Sequence, residues 1–250
     1  MNVLHIAGRE LRSTFSTTVG WLVLCGFLLL TGVFWSAGIG MYITESANLV
    51  YNPYGAATMT VNTYLLEPFF QNNVLFLLMV IPAISMRLFA EELRGRTMEL
   101  LLTSPVSTLE IVLGKYLGAL GFIGVVVACT AYAPLSLLLF TKLEWGVVAG
   151  GYVAVMLLAG AILAMGMLCS SLTDNQIVAF VVAFSASLAL YVVGWLDDSP
   201  DSWAVQLSVG THLADLLRGA VRLSDITYYL AFILFFVFAT HQRVESWRVR

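Results

Sequence analysis

The sequence predicts an all-α membrane protein with six transmembrane helices. Of its 250 residues, 60% are hydrophobic and only 11% are charged, and the mean hydropathy is +0.89. A soluble domain of this length does not need so apolar a composition. The apolar residues gather into six segments, most of them long enough to cross about 30 Å of hydrocarbon. Charge is concentrated in one short connection between the second and third of these segments.

The first predicted element is an N-terminal amphipathic helix over residues 3–18. Leu4, Leu11 and Phe15 recur at roughly helical spacing, opposite Arg9 and Arg12. This pattern predicts a helix that lies in the membrane interface before the first span, and a plain solvated lead-in is the alternative.

Six predicted spans follow. A span needs about 20 mostly apolar residues, and the shorter last segment is extended by tyrosines and phenylalanines that suit a membrane interface. The thirty-odd residues at 41–73 are predicted to form an external connection. Residues 197–222 are predicted to form an external amphipathic helix, which packs on the outer face of the membrane or on a periplasmic partner. The spans cover residues 19–40, 74–90, 116–140, 147–171, 177–196 and 226–240.

The distribution of Lys and Arg predicts the orientation. One set of flanks carries most of the basic residues, and the opposite loops carry only Lys142, Arg218 and Arg222. Because basic residues accumulate on the cytoplasmic side, the richer flanks and both termini are predicted to be cytoplasmic. The richer flanks contain Arg9, Arg12, Arg87, Arg94, Arg96, Lys115, Arg243, Arg248 and Arg250.

No catalytic, cofactor-binding or metal-binding residue is predicted. The apolar interiors of the spans contain no Asp, Glu, Lys, Arg or His. Coupled transporters generally carry an ionisable group or an unwound polar site at mid-membrane, so a secondary transporter or channel is disfavoured. The only Gly-Lys pair, Gly114-Lys115, lies in a predicted helix and is followed by Tyr116, so it is not a phosphate-binding loop. The three cysteines are predicted to be small core residues.

Small residues predict where the spans pack together. Lipid tails compete equally well for apolar surface, so contacts between membrane helices depend on close backbone approach. Pro82 and Pro134 lie inside spans and are predicted to bend them. The glycines predicted to pack are Gly114, Gly118, Gly121, Gly146, Gly150 and Gly160.

The charged connection is predicted to form a cytoplasmic helix over residues 91–104. Glu92 and Arg96 have the i, i+4 spacing of a surface ion pair. Pro105 ends this helix, and Ser107 with Glu110 forms a capping box that starts span three. A solvated loop that anchors the spans is the alternative.

This region closely resembles the ABC-2-type permeases, the membrane subunits of ATP-binding-cassette exporters. The run FAEELRGRTMELLLTSPVSTLEIVLGKYLGAL is similar to their gliding-motility branch, as are residues 211–240, Pro68–Asn72 and the N-terminal helix. Met98 and Arg96 depart from common residues of the family. The resemblance implies that residues 91–104 are the coupling helix that docks on the ATPase subunit. The implied contact residues are Glu91, Glu92, Leu93, Arg94, Gly95, Arg96, Thr97, Glu99, Leu100, Leu101, Ser104 and Pro105.

The resemblance therefore implies a single ABC-2-type transmembrane domain over residues 1–250. It would be the permease subunit of an exporter in a bacterial inner membrane, and not itself an enzyme. ATP and Mg²⁺ would bind the partner, a dimeric ABC ATPase. A second permease copy or paralogue and membrane lipid would complete the assembly, without nucleic acid. The alternative function is an ABC-linked membrane anchor or mechanical transmitter that moves no solute.

Overall fold

A computed structural model describes residues 2–48, 60–97, 106–141, 143–196, 202–217 and 222–248. Within these ranges the secondary structure is helical, without strands. A π-helical turn at Asn62–Leu66 leads into the third helix, and 3₁₀ turns follow the sixth and eighth. The helices are α1 (Asn2–Ser16), α2 (Thr18–Asn48), α3 (Glu67–Ser85), α4 (Arg87–Arg94), α5 (Thr108–Cys129), α6 (Tyr132–Ser136), α7 (Trp145–Ser171), α8 (Gln176–Val192), α9 (Trp203–Leu207), α10 (Val209–Leu217) and α11 (Leu223–Arg248).

Six helical stretches of the described chain are long and apolar enough to cross a membrane. This confirms the predicted all-α class and the six predicted spans. Five of the six stretches are longer than the sequence predicted, because hydropathy marks only the apolar middle of a helix whose hydrogen bonding continues into polar residues. The second begins at Asn62 and not near residue 74. The stretches are Thr18–Asn48, Asn62–Arg94, Thr108–Leu139, Trp145–Ser171, Gln176–Trp195 and Leu223–Trp247.

Local sequence signals account for two of the boundaries in the third span. The Ser107 hydroxyl accepts from the Glu110 amide, and the Glu110 side chain accepts from the Ser107 amide, which confirms the predicted capping box. The helix is interrupted at Thr130 and Ala131. Pro134 has no amide hydrogen to donate to the carbonyl of Thr130, four residues earlier, so the regular helical hydrogen bond is missing there.

Helix α7 lies at the centre of the bundle, and three spans lie at its edge. In the most apolar stretch of α7, 72% of the residues are buried, compared with 17% in α2 and 22% in both α8 and α11. The predicted core position of the cysteines is wrong for two of them, because Cys25 and Cys129 are exposed on the bundle surface. The outer helices therefore present apolar faces to lipid or to another protein.

One end of the bundle, which we call the charged end, contains α1, α4, the start of α5 and the end of α11. The Thr108 hydroxyl at the start of α5 donates to the Glu245 carboxylate near the end of α11. Lys115 of α5 contacts Glu92 of α4. Helices α5 and α11 therefore run in opposite directions, as spans three and six of a bundle with alternating sense require.

Helices α9 and α10 cover the opposite end. The apolar face of α10 packs against α7, α8 and α11, and Leu213 and Leu216 are at most 2% exposed. The hydroxyl of Tyr229 donates to the carbonyl of Val209 over 2.7 Å, and His212 contacts Asp225 over 2.8 Å. The described part of the predicted helix 197–222 is therefore two helices with a break at Ser208, and residues 197–201 and 218–221 lie outside the described residues. Since α10 buries its apolar face in its own chain, no external partner is needed to cover that face.

Candidate functional site

Span two continues past its apolar part into a short charged helix. Pro82 lies inside α3 and lacks an amide hydrogen, and α3 ends at Ser85. After a single turn residue, Met86, the chain continues as α4. The last residue of α4 is Arg94, and Gly95 is its C-cap. Arg96 has a φ of 53°, a left-handed conformation that costs a residue with a Cβ about 1 kcal/mol. Helix α4 therefore ends in an exposed left-handed turn.

A serine from the central helix holds the break between α3 and α4. The first amides of a helix have no acceptor within it. Here the amides of Phe89 and Ala90 both donate to the Ser170 hydroxyl, over 3.1 and 3.0 Å. That hydroxyl donates in turn to the carbonyl of Met86 over 2.8 Å. All the hydrogen-bonding capacity of Ser170 is used at the break, and α4 is tied to α7.

An ion-pair cluster around a buried lysine joins α4 to two further helices. The Lys115 ammonium of α5 lies 2.8 Å from the Glu92 carboxylate and 3.7 Å from that of Glu10 on α1. The Lys115 side chain is only 3% exposed and lies over the Phe89 ring at 5.4 Å. One cation therefore faces two carboxylates, and Glu92 Oε2 has no hydrogen-bond partner among the described residues.

Helix α1 reaches this cluster because glycines let it approach α5 closely. A Cβ built on Gly118 would lie 2.6 Å from the Glu10 Cβ and 2.8 Å from the Ala7 carbonyl oxygen. A Cβ on Gly114 would lie 2.6 Å from Ile6. Only glycine permits this spacing. The N-terminal helix is thus packed along span three, in the same direction, and lies close enough for Glu10 to reach Lys115.

The cluster opens into a polar cavity of about 310 Å³ at the charged end of the bundle. Its walls come from α1, α2, the α3–α4 junction and α5. Arg87 and Glu91, which also line it, form an ion pair of 3.1 Å along α4. Acidic and basic side chains from helices that are distant in sequence therefore line one cavity.

The predicted pairing of Glu92 with Arg96 is wrong. That pairing requires a helix through residue 96, but α4 ends at Gly95 and Arg96 turns left-handed. Glu92 points inward to Lys115 instead, and Leu93 packs at the edge of the core. The exposed residues of the predicted coupling segment are Glu91, Arg94, Gly95, Arg96 and Thr97, whereas Glu99, Leu100, Leu101, Ser104 and Pro105 lie outside the described residues.

The predicted packing glycines differ in how closely they approach neighbouring residues. Gly160 lies against the Tyr116 hydroxyl, which donates to the Gly160 carbonyl over 3.1 Å. Gly121 has only ordinary contact with Leu11, and Gly150 is buried. No atom lies within 4 Å of a Cβ built on Gly146, so that glycine makes no close contact with the described part of this chain.

Sequence reasoning missed the two residues that position α4. Ser170 carries no sequence signal of its own, because serine is common in the small-residue faces of membrane helices. Lys115 did carry a signal, since it lies inside a run of small and apolar residues, 111–120. From the sequence it was counted among the basic residues of the cytoplasmic flanks, whereas the structure buries it against carboxylates.

Comparison with known families now identifies the class. A family model described as ABC-2 family transporter protein matches residues 4–240. The chain belongs to this family, and it is a multi-pass membrane protein with six apolar helices. No curated protein matches the chain. In the part of the chain that the structure describes, no three His, Cys, Asp or Glu side chains are grouped as metal ligands would be.

Proposed function

We propose that the chain is the permease subunit of an ABC exporter of the gliding-motility branch, in a bacterial inner membrane with both termini cytoplasmic. ABC-2 family members generally work with an ABC ATPase partner. The charged end of the bundle would face that ATPase. A second permease copy or paralogue would complete the pathway, since the outer spans have exposed apolar faces.

One observation carries this proposal: α4 extends span two, ends in an exposed turn, and is tied to three other helices. The turn presents Arg94, Arg96 and Thr97 to solvent. Behind it, Ser170 and Lys115 connect α4 to α7, α5 and α1. A force applied to the turn would therefore reach several spans.

Charge reversal in the turn tests the docking surface. We expect Arg94→Glu with Arg96→Asp to reduce co-purification of the ATPase about tenfold or more, because like charges juxtaposed at an interface oppose docking. Aspartate is tolerated in the left-handed conformation, so the turn keeps its shape. The measurement is the amount of ATPase recovered with the tagged permease from native membranes in mild detergent.

The matched control is Asp174→Arg in the exposed turn between α7 and α8, which lies at the same end of the bundle. This variant also reverses a surface charge, and we expect full ATPase recovery with it. Equal recovery with both variants, at unchanged thermal stability, would show that residues 94–96 are not the docking surface.

A groove between α2 and α3 favours transport over a purely mechanical role. Its volume is about 920 Å³, and aromatic rings including Trp35 and Phe76 line it. Asn73 is buried in its wall and accepts a hydrogen bond from Thr31 over 3.2 Å. The side-chain amide of the neighbouring Asn72 also lines the groove and has no hydrogen-bond partner among the described residues. An amphipathic cargo with a hydrogen-bonding head would fit there.

The groove gives a test that separates the two functions. We expect alkyl glycosides or short-chain phospholipids to stimulate ATP hydrolysis by the reconstituted complex. Asn72→Leu should weaken the apparent affinity about threefold to tenfold, the effect of one lost hydrogen bond. Gln71→Leu, on the exposed side of the same helix, is the control and should retain stimulation. Failure of every amphiphile to stimulate ATP hydrolysis would favour the alternative function, an ABC-linked membrane anchor or mechanical transmitter that moves no solute.

A further inference from the structure

Helix α1 has two faces of different character. The inner face packs on α5, where Ile6 and Glu10 contact Gly114 and Gly118, and the Phe15 ring lies 5.0 Å from that of Phe122. Leu11 also packs on this face, whereas Leu4, which the sequence predicted to share it, is exposed. On the opposite face, no described helix covers the side chains.

The outer face carries a basic stripe, formed by His5, Arg9 and Arg12. The spacing i, i+4, i+7 places the three side chains on one side of the helix, and all three are exposed. None of them forms an ion pair or a ring contact with another described residue. A shallow depression of about 610 Å³ lies over the same residues together with Gly8 and Ser16.

The stripe is uncompensated because the acid of α1 is used elsewhere. Glu10 is the only carboxylate in α1, and its side chain turns to the buried Lys115, 3.7 Å away. The helix therefore directs its negative charge inward and its positive charge outward. The basic stripe attracts anions from outside the chain.

The stripe also lies next to the start of the first apolar span. A bend at Thr17 separates α1 from α2, and the Trp21 indole N–H donates to the Phe15 carbonyl across it, over 2.8 Å. Trp21 is 54% exposed, as is typical of tryptophan at head-group depth. Arg12 precedes this bend by little more than one helical turn, within reach of the surface potential of a charged leaflet.

We propose that the basic stripe of α1 binds the phosphate groups of anionic phospholipids in the leaflet that it adjoins. This inference rests on the proposed function only for naming that leaflet as the cytoplasmic one. Arg9 and Arg12 supply the charge, and the depression between them holds the head group. Lipid contact fixes α1, and through Glu10 and Lys115 it supports α4.

Native mass spectrometry and unfolding of the full chain in nanodiscs test the proposal. In native spectra we expect phosphatidylglycerol to remain bound in preference to phosphatidylcholine. Wild-type protein should also unfold at higher temperature in nanodiscs containing phosphatidylglycerol. Arg9→Gln with Arg12→Gln should weaken the preference about tenfold or more, given the usual contribution of each basic residue near an anionic surface. Arg9→Lys with Arg12→Lys should retain it, because lysine also binds phosphate as a point charge.

An unchanged lipid preference in the glutamine variant would overturn the proposal. If ATPase recovery were lost in that variant at the same time, the stripe would be assigned to a protein partner. The lipid measurement needs no ATPase, and Arg94→Glu with Arg96→Asp should leave it unaltered. Failure of the docking surface and failure of the lipid site are therefore distinguishable.

Discussion

Substitution of Lys115 by methionine is expected to lower the free energy of unfolding by about 3 kcal/mol, because removal of one partner leaves buried charges uncompensated. Methionine fills a similar volume, so the effect is chiefly electrostatic. Glu92 and Glu10 would face each other without a cation, and Glu92 Oε2 already lacks a hydrogen-bond partner among the described residues. The measurement is unfolding of the purified permease in nanodiscs of one lipid composition.

A double variant separates charge from packing. Lys115→Met with Glu92→Gln removes both the cation and its nearest carboxylate, and a neutral pair of similar size should recover much of the lost stability. Lys115→Arg keeps the charge but needs more room in a site that is 3% exposed, so we expect an intermediate result. Stability of Lys115→Met equal to that of the wild type would mean that the cluster does not hold α4 in place.

The sequence was sufficient to predict the fold class because membrane burial leaves a strong local signal. Uninterrupted apolar runs locate the six spans, and the Ser107–Glu110 capping box marks the start of α5 to the residue. The outer limits of the spans were less predictable. Polar residues such as Asn62 and Glu67 reduce hydropathy without ending a helix, so the second helical stretch begins well before the predicted span at residues 74–90.

The site was only partly predictable, because its geometry depends on contacts between distant segments. The charged connection was visible in the sequence, but the partner of Glu92 was not. Lys115 and Glu10 meet Glu92 only after α1 packs along α5, and this packing depends on Gly114 and Gly118. The end of α4 was not predictable from Gly95, because Gly95 keeps a right-handed φ of −77° and the left-handed residue after the helix is Arg96.

Ser170→Ala is expected to destabilise the protein by about 2–3 kcal/mol and to reduce ATP hydrolysis stimulated by the permease. The alanine leaves the amides of Phe89 and Ala90 without their Ser170 acceptor, in a site where both residues are 0% exposed. A mere loss of stability would lower the amount of folded complex. A change in the orientation of α4 would instead lower the coupling ratio, which is the amount of substrate transported for each ATP hydrolysed. This ratio is measured in proteoliposomes that contain only folded complex.

The neighbouring serine provides the matched control, because it differs only in what its hydroxyl contacts. Ser171 is equally buried, but its hydroxyl donates within its own helix, to the Leu168 carbonyl over 2.7 Å. Ser171→Ala should therefore change stability by less than about 1 kcal/mol and leave the coupling ratio unchanged. If both alanine variants lowered the coupling ratio alike, the break between α3 and α4 would not be what transmits force from the exposed turn. If only Ser170→Ala lowered it, the link from α4 to the central helix would be part of the coupling route, since the two variants remove the same atoms one residue apart.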